Sequence, residues 1–169
     1  FYMAYTDIKA LYRDTKQYLN QKITVNAWVR TVRSSKEFGF IELNDGTFFK
    51  GLQVVFASDL VNFSEIEKVT IGSALEVEGT LVESPAAGQP FELKAEHITV
   101  ISLASPDYPL QKKKHSYEFL REITHLRPRS NTFSAVFRLR SALSFAIHKF
   151  FTDRGFSYVH TPIISGSDC

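Results

Sequence analysis

Between Ile23 and Ile101 the chain alternates apolar and polar residues in five short runs, interrupted once by a helical pattern, and that order leaves few folds open. The first run extends from Ile23 to about Arg33 and the second from Phe38 to Asn44, where Asn44-Asp45-Gly46 supplies a turn. Leu52–Phe56 is the third. A helical connection over Asp59–Glu67 follows, then a fourth run, Ala74–Leu81. A loop punctuated by Pro85, Gly88 and Pro90 leads to the fifth, Phe91–Ile101. Three strands, a helix and two more strands is the order of the OB-fold, a five-stranded Greek-key barrel that binds oligonucleotides. An SH3-type barrel is the alternative, less suited to the inserted helix.

Strand periodicity also locates a binding face. A strand points successive side chains to opposite sides, so the core residues identify what is left for solvent or ligand. Ile41 and Leu43 point inward and leave Phe38, Phe40 and Glu42 outside; Leu52, Val54 and Phe56 point inward and leave Gln53 outside. Phe91, Leu93 and Ala95 share one face of the fifth strand, with Glu92, Lys94 and Glu96 on the other. Two phenylalanines on a solvent face are anomalous for a core-forming residue. They suit a platform on which unpaired bases stack, each stacked base contributing about 1–3 kcal/mol; the alternative is that a loop or the N-terminal helix covers them. An amide such as Gln53 offers both donor and acceptor to a base edge, and a carboxylate such as Glu92 only accepts. Ordinary polar exposure is the alternative for each.

The flanks differ in character. Ile8, Leu11, Tyr12, Thr15 and Leu19 fall on one face of a leader helix that Asn20 ends. Phe119, Leu120, Ile123 and Leu126 make a short amphipathic helix that must stop before Pro128. Beyond it Val136, Leu139, Leu143, Ile147 and Phe150 recur at helical spacing, and Gly155 is suited to the left-handed position that closes a helix. Tyr158, Val159, Ile163 and Ile164 then read as an extended segment, which Pro162 confines to an edge. A helix and edge strand of this kind need a second subunit or further chain to cover them.

Charge divides the chain. Residues 1–103 hold ten Lys/Arg against thirteen Asp/Glu, whereas residues 104–154 hold ten against four. Nucleic acid binding by the barrel must therefore come from shaped contacts, while the basic middle could follow a phosphate backbone; Lys112-Lys113-Lys114-His115 by itself reads rather as a solvated loop. Arg121, Arg127 and Arg129 are candidates for phosphate contact, with a salt-bridged linker as the alternative. No run approaches the roughly 20 apolar residues of a membrane span. The start passes directly into a charged amphipathic stretch, so no signal peptide is expected. The single Cys169 gives no internal disulfide and no metal cluster, the five histidines lack ligand spacing, and a reducing cytoplasm suits both.

Three stretches carry a family resemblance. Gly155-Phe156 followed by Pro162-Ile163-Ile164 resembles the first signature motif of class II aminoacyl-tRNA synthetases. Trp28–Arg33, Phe40–Gly46 and Leu52–Phe56 resemble the anticodon-binding barrel of the subgroup serving asparagine, aspartate and lysine. Tyr117–Asn131, with His125-Leu126-Arg127-Pro128-Arg129, resembles the asparaginyl hinge rather than the aspartyl one.

The resemblance implies a mainly β fold: residues 1–22 a leader helix, 23–103 the OB-fold domain, 104–132 a hinge, and 133–169 the first helix and strand of a truncated class II α+β catalytic domain. It implies that the aromatic at Phe40 stacks on the central anticodon uridine, that Gln53 hydrogen-bonds the same base, and that Arg33 and Glu92 lie on the anticodon face. Gly155, Phe156 and Pro162 would belong to a homodimer interface. The whole enzyme would use asparagine, ATP and magnesium to charge tRNA(Asn). This chain is expected to hold no catalytic residue, metal or bound cofactor. A free-standing single-stranded nucleic acid or tRNA-binding module, an aspartyl-type fragment and a protein-interaction barrel are the competing readings; the last leaves Phe40 and Gln53 without a role.

Overall fold

The computed structural model describes residues 5–35, 37–86, 88–164 and 166, and divides into two units, 1–126 and 127–169. In the first unit five strands close into a barrel: β1 (Lys22–Ser34), β2 (Phe38–Asn44), β3 (Leu52–Ala57), β4 (Ala74–Glu83) and β5 (Phe91–Ser102), in the order β1-β2-β3-β5-β4. β1 pairs antiparallel with both β2 and β4, which closes the ring; β3 and β5 pair in parallel. Closure removes the exposed sheet edges that would otherwise template association. Val25, Val29, Ile41, Leu43, Leu52, Val54, Leu75, Val77, Leu81 and Leu93 fill the interior, following the two-residue period in the sequence.

Two irregularities shift that period. A register change between Val29 and Thr31 leaves Arg30 as an extra residue on β1 and sets Arg33 opposite Phe40. On β5, Glu78 faces His97 but Gly79 faces Ala95, so Glu96 is the extra residue and Ile98 takes the inward position. Gly79 makes that bulge possible: a Cβ there would meet the Lys94 carbonyl oxygen.

The leader is two helices rather than one. α1 (Ile8–Arg13) and α2 (Thr15–Tyr18) are separated at Asp14, whose φ of −126° and ψ of 45° break the helical run. Ile8 and Leu11 are fully buried against the barrel, and Tyr12 stacks on Phe48 with ring centroids 4.6 Å apart. The Tyr12 hydroxyl donates to the Gly51 carbonyl at 2.8 Å, and burial, then the nearby Glu42 charge, pushes its phenol pKa up. Asn20 adopts φ 60°, tolerable for Asn in the left-handed region, and its N–H donates to the Leu81 carbonyl at 2.8 Å.

α1 is capped from a distance. Asp7 makes no side-chain cap; instead the Ile8 N–H donates to Asp45 Oδ2 at 2.8 Å and the Lys9 N–H to Thr47 Oγ1 at 3.1 Å. The other Asp45 oxygen accepts from the Thr47 N–H and hydroxyl at 2.9 and 2.7 Å. Removing Asp45 would strip the helix start and the turn together. Asp45→Ala is therefore expected to lower stability by about 1–2 kcal/mol, read as a lower denaturation midpoint. Wild-type stability in that variant would show that water substitutes for the carboxylate.

The helical connection between β3 and β4 is a single turn, α3 (Phe63–Ile66), anchored by buried Ile66. α4 (Tyr117–Glu122) starts at Ser116, whose Oγ accepts from the Phe119 N–H at 3.2 Å, and it buries Leu120.

The second unit is a short 3-10 turn, Arg127–Arg129, and α5 (Asn131–Thr152). Ser130 caps α5, accepting from the Phe133 N–H at 3.4 Å while its own hydroxyl donates to the Arg127 carbonyl at 2.6 Å. At the far end Gly155 takes φ 82°, the Phe156 N–H donates to the Phe151 carbonyl and the Gly155 N–H to the Thr152 carbonyl. This pair of bonds is a Schellman closure, completed by the Phe151–Phe156 ring contact at 5.4 Å. The expected strand after Gly155 does not form: residues 156–164 are irregular. A strand exists only by pairing, and the described residues of this unit offer no second strand. The apolar stripe of α5 is exposed, Leu139 most of all at 62%.

Candidate nucleic-acid interface

Pairing register brings the outward residues of three strands together. Residues directly opposite across an antiparallel pair share a face, so Arg33 joins Phe40, and Glu42 joins Gln53. Phe40 and Glu42 lie two apart on β2, which puts all four on one outer surface. Arg33, Phe40 and Gln53 line an open cleft of about 470 Å³, completed by Ala86, Gly88 and Gln89 of the β4–β5 loop. Among the described residues none of the leader lines it.

The aromatic pair is ordered. Phe38 and Phe40 meet edge to face, with centroids 5.5 Å apart and planes at 86°. Phe38, 44% exposed, thereby braces the ring of the half-buried Phe40. A flat, fixed ring beside an amide and a guanidinium can stack one base, pair with its edge and neutralise an adjacent phosphate.

Glu92 corrects the expectation of an open carboxylate. The parallel pairing of Val54 with Leu93 brings Glu92 level with Gln53, on the outward side as alternation requires, yet it is only 8% exposed. Beside it stands Ser84, two residues beyond Val82, the cross-strand partner of Glu92, and the Ser84 hydroxyl donates to Glu92 Oε2 at 3.4 Å. Gln89 was absent from the sequence-derived candidates. Its place between Gly88 and Pro90, in the loop joining the last two strands of an OB barrel, was the available signal.

The three hinge arginines do not behave alike. Arg121 and Arg129 are exposed, whereas the Arg127 guanidinium lies over the rings of Phe133 and Phe137, at 5.1 and 5.5 Å. That stacking uses its flat face and orients the start of α5. Gly155 and Phe156 form the helix closure, and Pro162 is exposed in the segment that follows. Among the described residues no group of three or more His, Cys, Asp or Glu could hold a metal ion. No described helix is long and apolar enough to cross a membrane.

Comparison with known proteins agrees with this geometry. Residues 23–101 match the OB-fold nucleic acid binding domain of the tRNA anti-codon family. The chain is 64% identical over 166 residues to the asparagine–tRNA ligase of Desulfitobacterium hafniense, covering 98% of this chain and 36% of that protein. It is likewise 64% identical over 167 residues to that of Acetivibrio thermocellus, with the same coverage. The asparaginyl-tRNA synthetase of Pyrococcus horikoshii complexed with asparaginyl-adenylate shares the fold, with a TM-score of 0.83 over 95% of this chain and 37% of that one, at 23% identity. The chain thus spans about a third of the length of the curated relatives it matches. With an OB-fold nucleic acid binding domain matched over residues 23–101 and 98% of its length aligned at 64% identity, the chain is similar to asparagine–tRNA ligases.

Proposed function

We propose that the cleft binds the anticodon of tRNA(Asn), with Phe40 stacked on the central uridine, Gln53 bonded to that base's edge, Arg33 at the adjoining backbone and Glu92 at the rear of the site. The observation that carries this reading is the convergence of Arg33, Phe40 and Gln53 on one cleft. A uracil edge presents an N–H flanked by two carbonyls, and a glutamine amide meets one donor and one acceptor of it at once. The surrounding strands are not basic on balance, so affinity rests on stacking and edge contacts, and sequence preference follows. Arg121 and Arg129, with Arg127, would meet the tRNA backbone.

The exposed stripe of α5 supports a second proposal, a homodimer interface that includes Gly155, Phe156 and Pro162. The protein containing this chain would act in the cytoplasm, activating asparagine with ATP and magnesium and transferring it to tRNA(Asn). The 169-residue chain alone is expected to give no asparagine-dependent exchange of pyrophosphate into ATP; measurable exchange would contradict that division of labour.

The edge reading is tested by titrating a hairpin carrying the GUU triplet, and one with its central uridine replaced by cytidine, into wild type and Gln53→Ala. The base change is expected to weaken wild type about tenfold and the variant little. Equal losses in both proteins would remove Gln53 as the reader of that base.

A further inference from the structure

Ser84 stands at the head of the β4–β5 loop, and its hydroxyl oxygen meets three groups. Glu92 Oε2 lies at 3.4 Å, the Ala86 N–H donates to it from 3.2 Å, and Gln89 Nε2 lies at 2.8 Å. A hydroxyl has one proton and two lone pairs. Ala86 can only donate and an ionised carboxylate can only accept, so one lone pair is taken by Ala86 and the proton is taken by Glu92. What remains for Gln89 is a lone pair. Its amide must therefore turn its NH2 toward Ser84, because the reverse orientation would set a carbonyl oxygen against a hydroxyl with no proton left to give. The Gln89 carbonyl is directed away from Ser84, on a side chain that lines the same cleft as Phe40 and Gln53.

We propose that Glu92 is a positioning residue: through Ser84 it fixes the Gln89 amide so that the carbonyl oxygen faces the cleft as an acceptor for a second base, beside the one stacked on Phe40. The base such an acceptor selects is one whose pairing edge carries N–H donors. In a GUU loop that is guanine, with N1–H and an exocyclic amine, whereas each uracil offers a single N–H. Glu92 has little surface of its own to offer, being 8% exposed, so its influence on RNA passes through the loop. This inference rests on the anticodon reading above.

The test compares a GUU hairpin with one in which inosine, lacking the 2-amino donor, replaces guanine. Wild type is expected to prefer guanine by about three- to tenfold. Gln89→Ala and Ser84→Ala should abolish the preference. Glu92→Gln should abolish it too, because an amide at that position can itself donate to Ser84 and frees Gln89 to reverse. A role confined to holding the fold would follow the melting temperatures of these variants and not their hydrogen-bond polarity. Phe40→Ala, run in parallel, separates the two readings. If it weakens both hairpins but Glu92→Gln keeps the preference, or loses affinity for both hairpins equally, the positioning role is overturned and the anticodon reading stands. A wild type indifferent to guanine and inosine has the same meaning. If Phe40→Ala changes neither affinity, both readings fall.

Discussion

Replacing Phe40 by alanine is expected to weaken binding of a GUU anticodon hairpin by about 1–3 kcal/mol, roughly 5- to 150-fold in Kd. The ring is half-buried at the edge of the cleft, held edge-on by Phe38 and flanked across the strands by Arg33 and, diagonally, by Gln53. Truncation removes the only aromatic face among the described residues that line the cleft and leaves the base in contact with water. Phe40→Trp should preserve most of the affinity, since an indole stacks as well, whereas Phe38→Ala should cost less than Phe40→Ala because it removes a brace and not the platform. Isothermal titration or fluorescence anisotropy at fixed salt checks all three, with salt held constant because phosphate contacts make affinity salt-dependent. Unchanged affinity in Phe40→Ala would take the ring out of the site.

The second large effect concerns the barrel itself. Gly79 sits where β4 passes the bulge in β5, and a side chain there would meet the Lys94 carbonyl oxygen and, at 3.0 Å, the Ala95 Cα. Both obstacles are backbone, and neither can swing aside as a long side chain can. Gly79→Ala must therefore push β4 and β5 apart or open the bulge, with an expected loss of about 3 kcal/mol and a fall in Tm of roughly 10 °C. Gly88→Ala is the contrast, because nothing lies within 4 Å of a Cβ at that position; its cost comes from its φ of 99° alone. A Gly79→Ala variant that melts with wild type would mean that β4 and β5 can separate here without penalty.

These two glycines illustrate what can be read from sequence and what cannot. The cleft face was legible because a strand's side chains alternate strictly: once Ile41, Leu43, Leu52 and Val54 are taken as core, Phe40 and Gln53 have nowhere to point but outward. Arg33 was placed there by family resemblance, and the register of β1 on β2 gives the geometric reason. The bulge that gives Gly79 its importance was invisible, since one extra residue on β5 is a property of the pairing and not of either strand alone. Glu92 shows the same limit. Alternation put it on the correct side, but its burial and its hydrogen bond from Ser84, eight residues away across the β4–β5 connection, are set by tertiary packing. The break at Asp14 and the capping of α1 by Asp45 were out of reach for a like reason, because the groups that satisfy the helix start come from 37 residues downstream. In the second unit the helix and its Gly155 closure are local and were legible, while the strand expected after it depends on a pairing partner.

The account stands or falls on where the central anticodon base sits. A GUU hairpin with 4-thiouridine at its central position, bound to the 169-residue chain and irradiated, should crosslink to the peptide that contains Phe40, with Gln53's peptide as the secondary site, and the adduct should be lost on competition with unmodified GUU hairpin. An adduct confined to the Lys112–Arg129 stretch or to α5, with β2 and β3 unlabelled, would place the base elsewhere and contradict the cleft as the anticodon site.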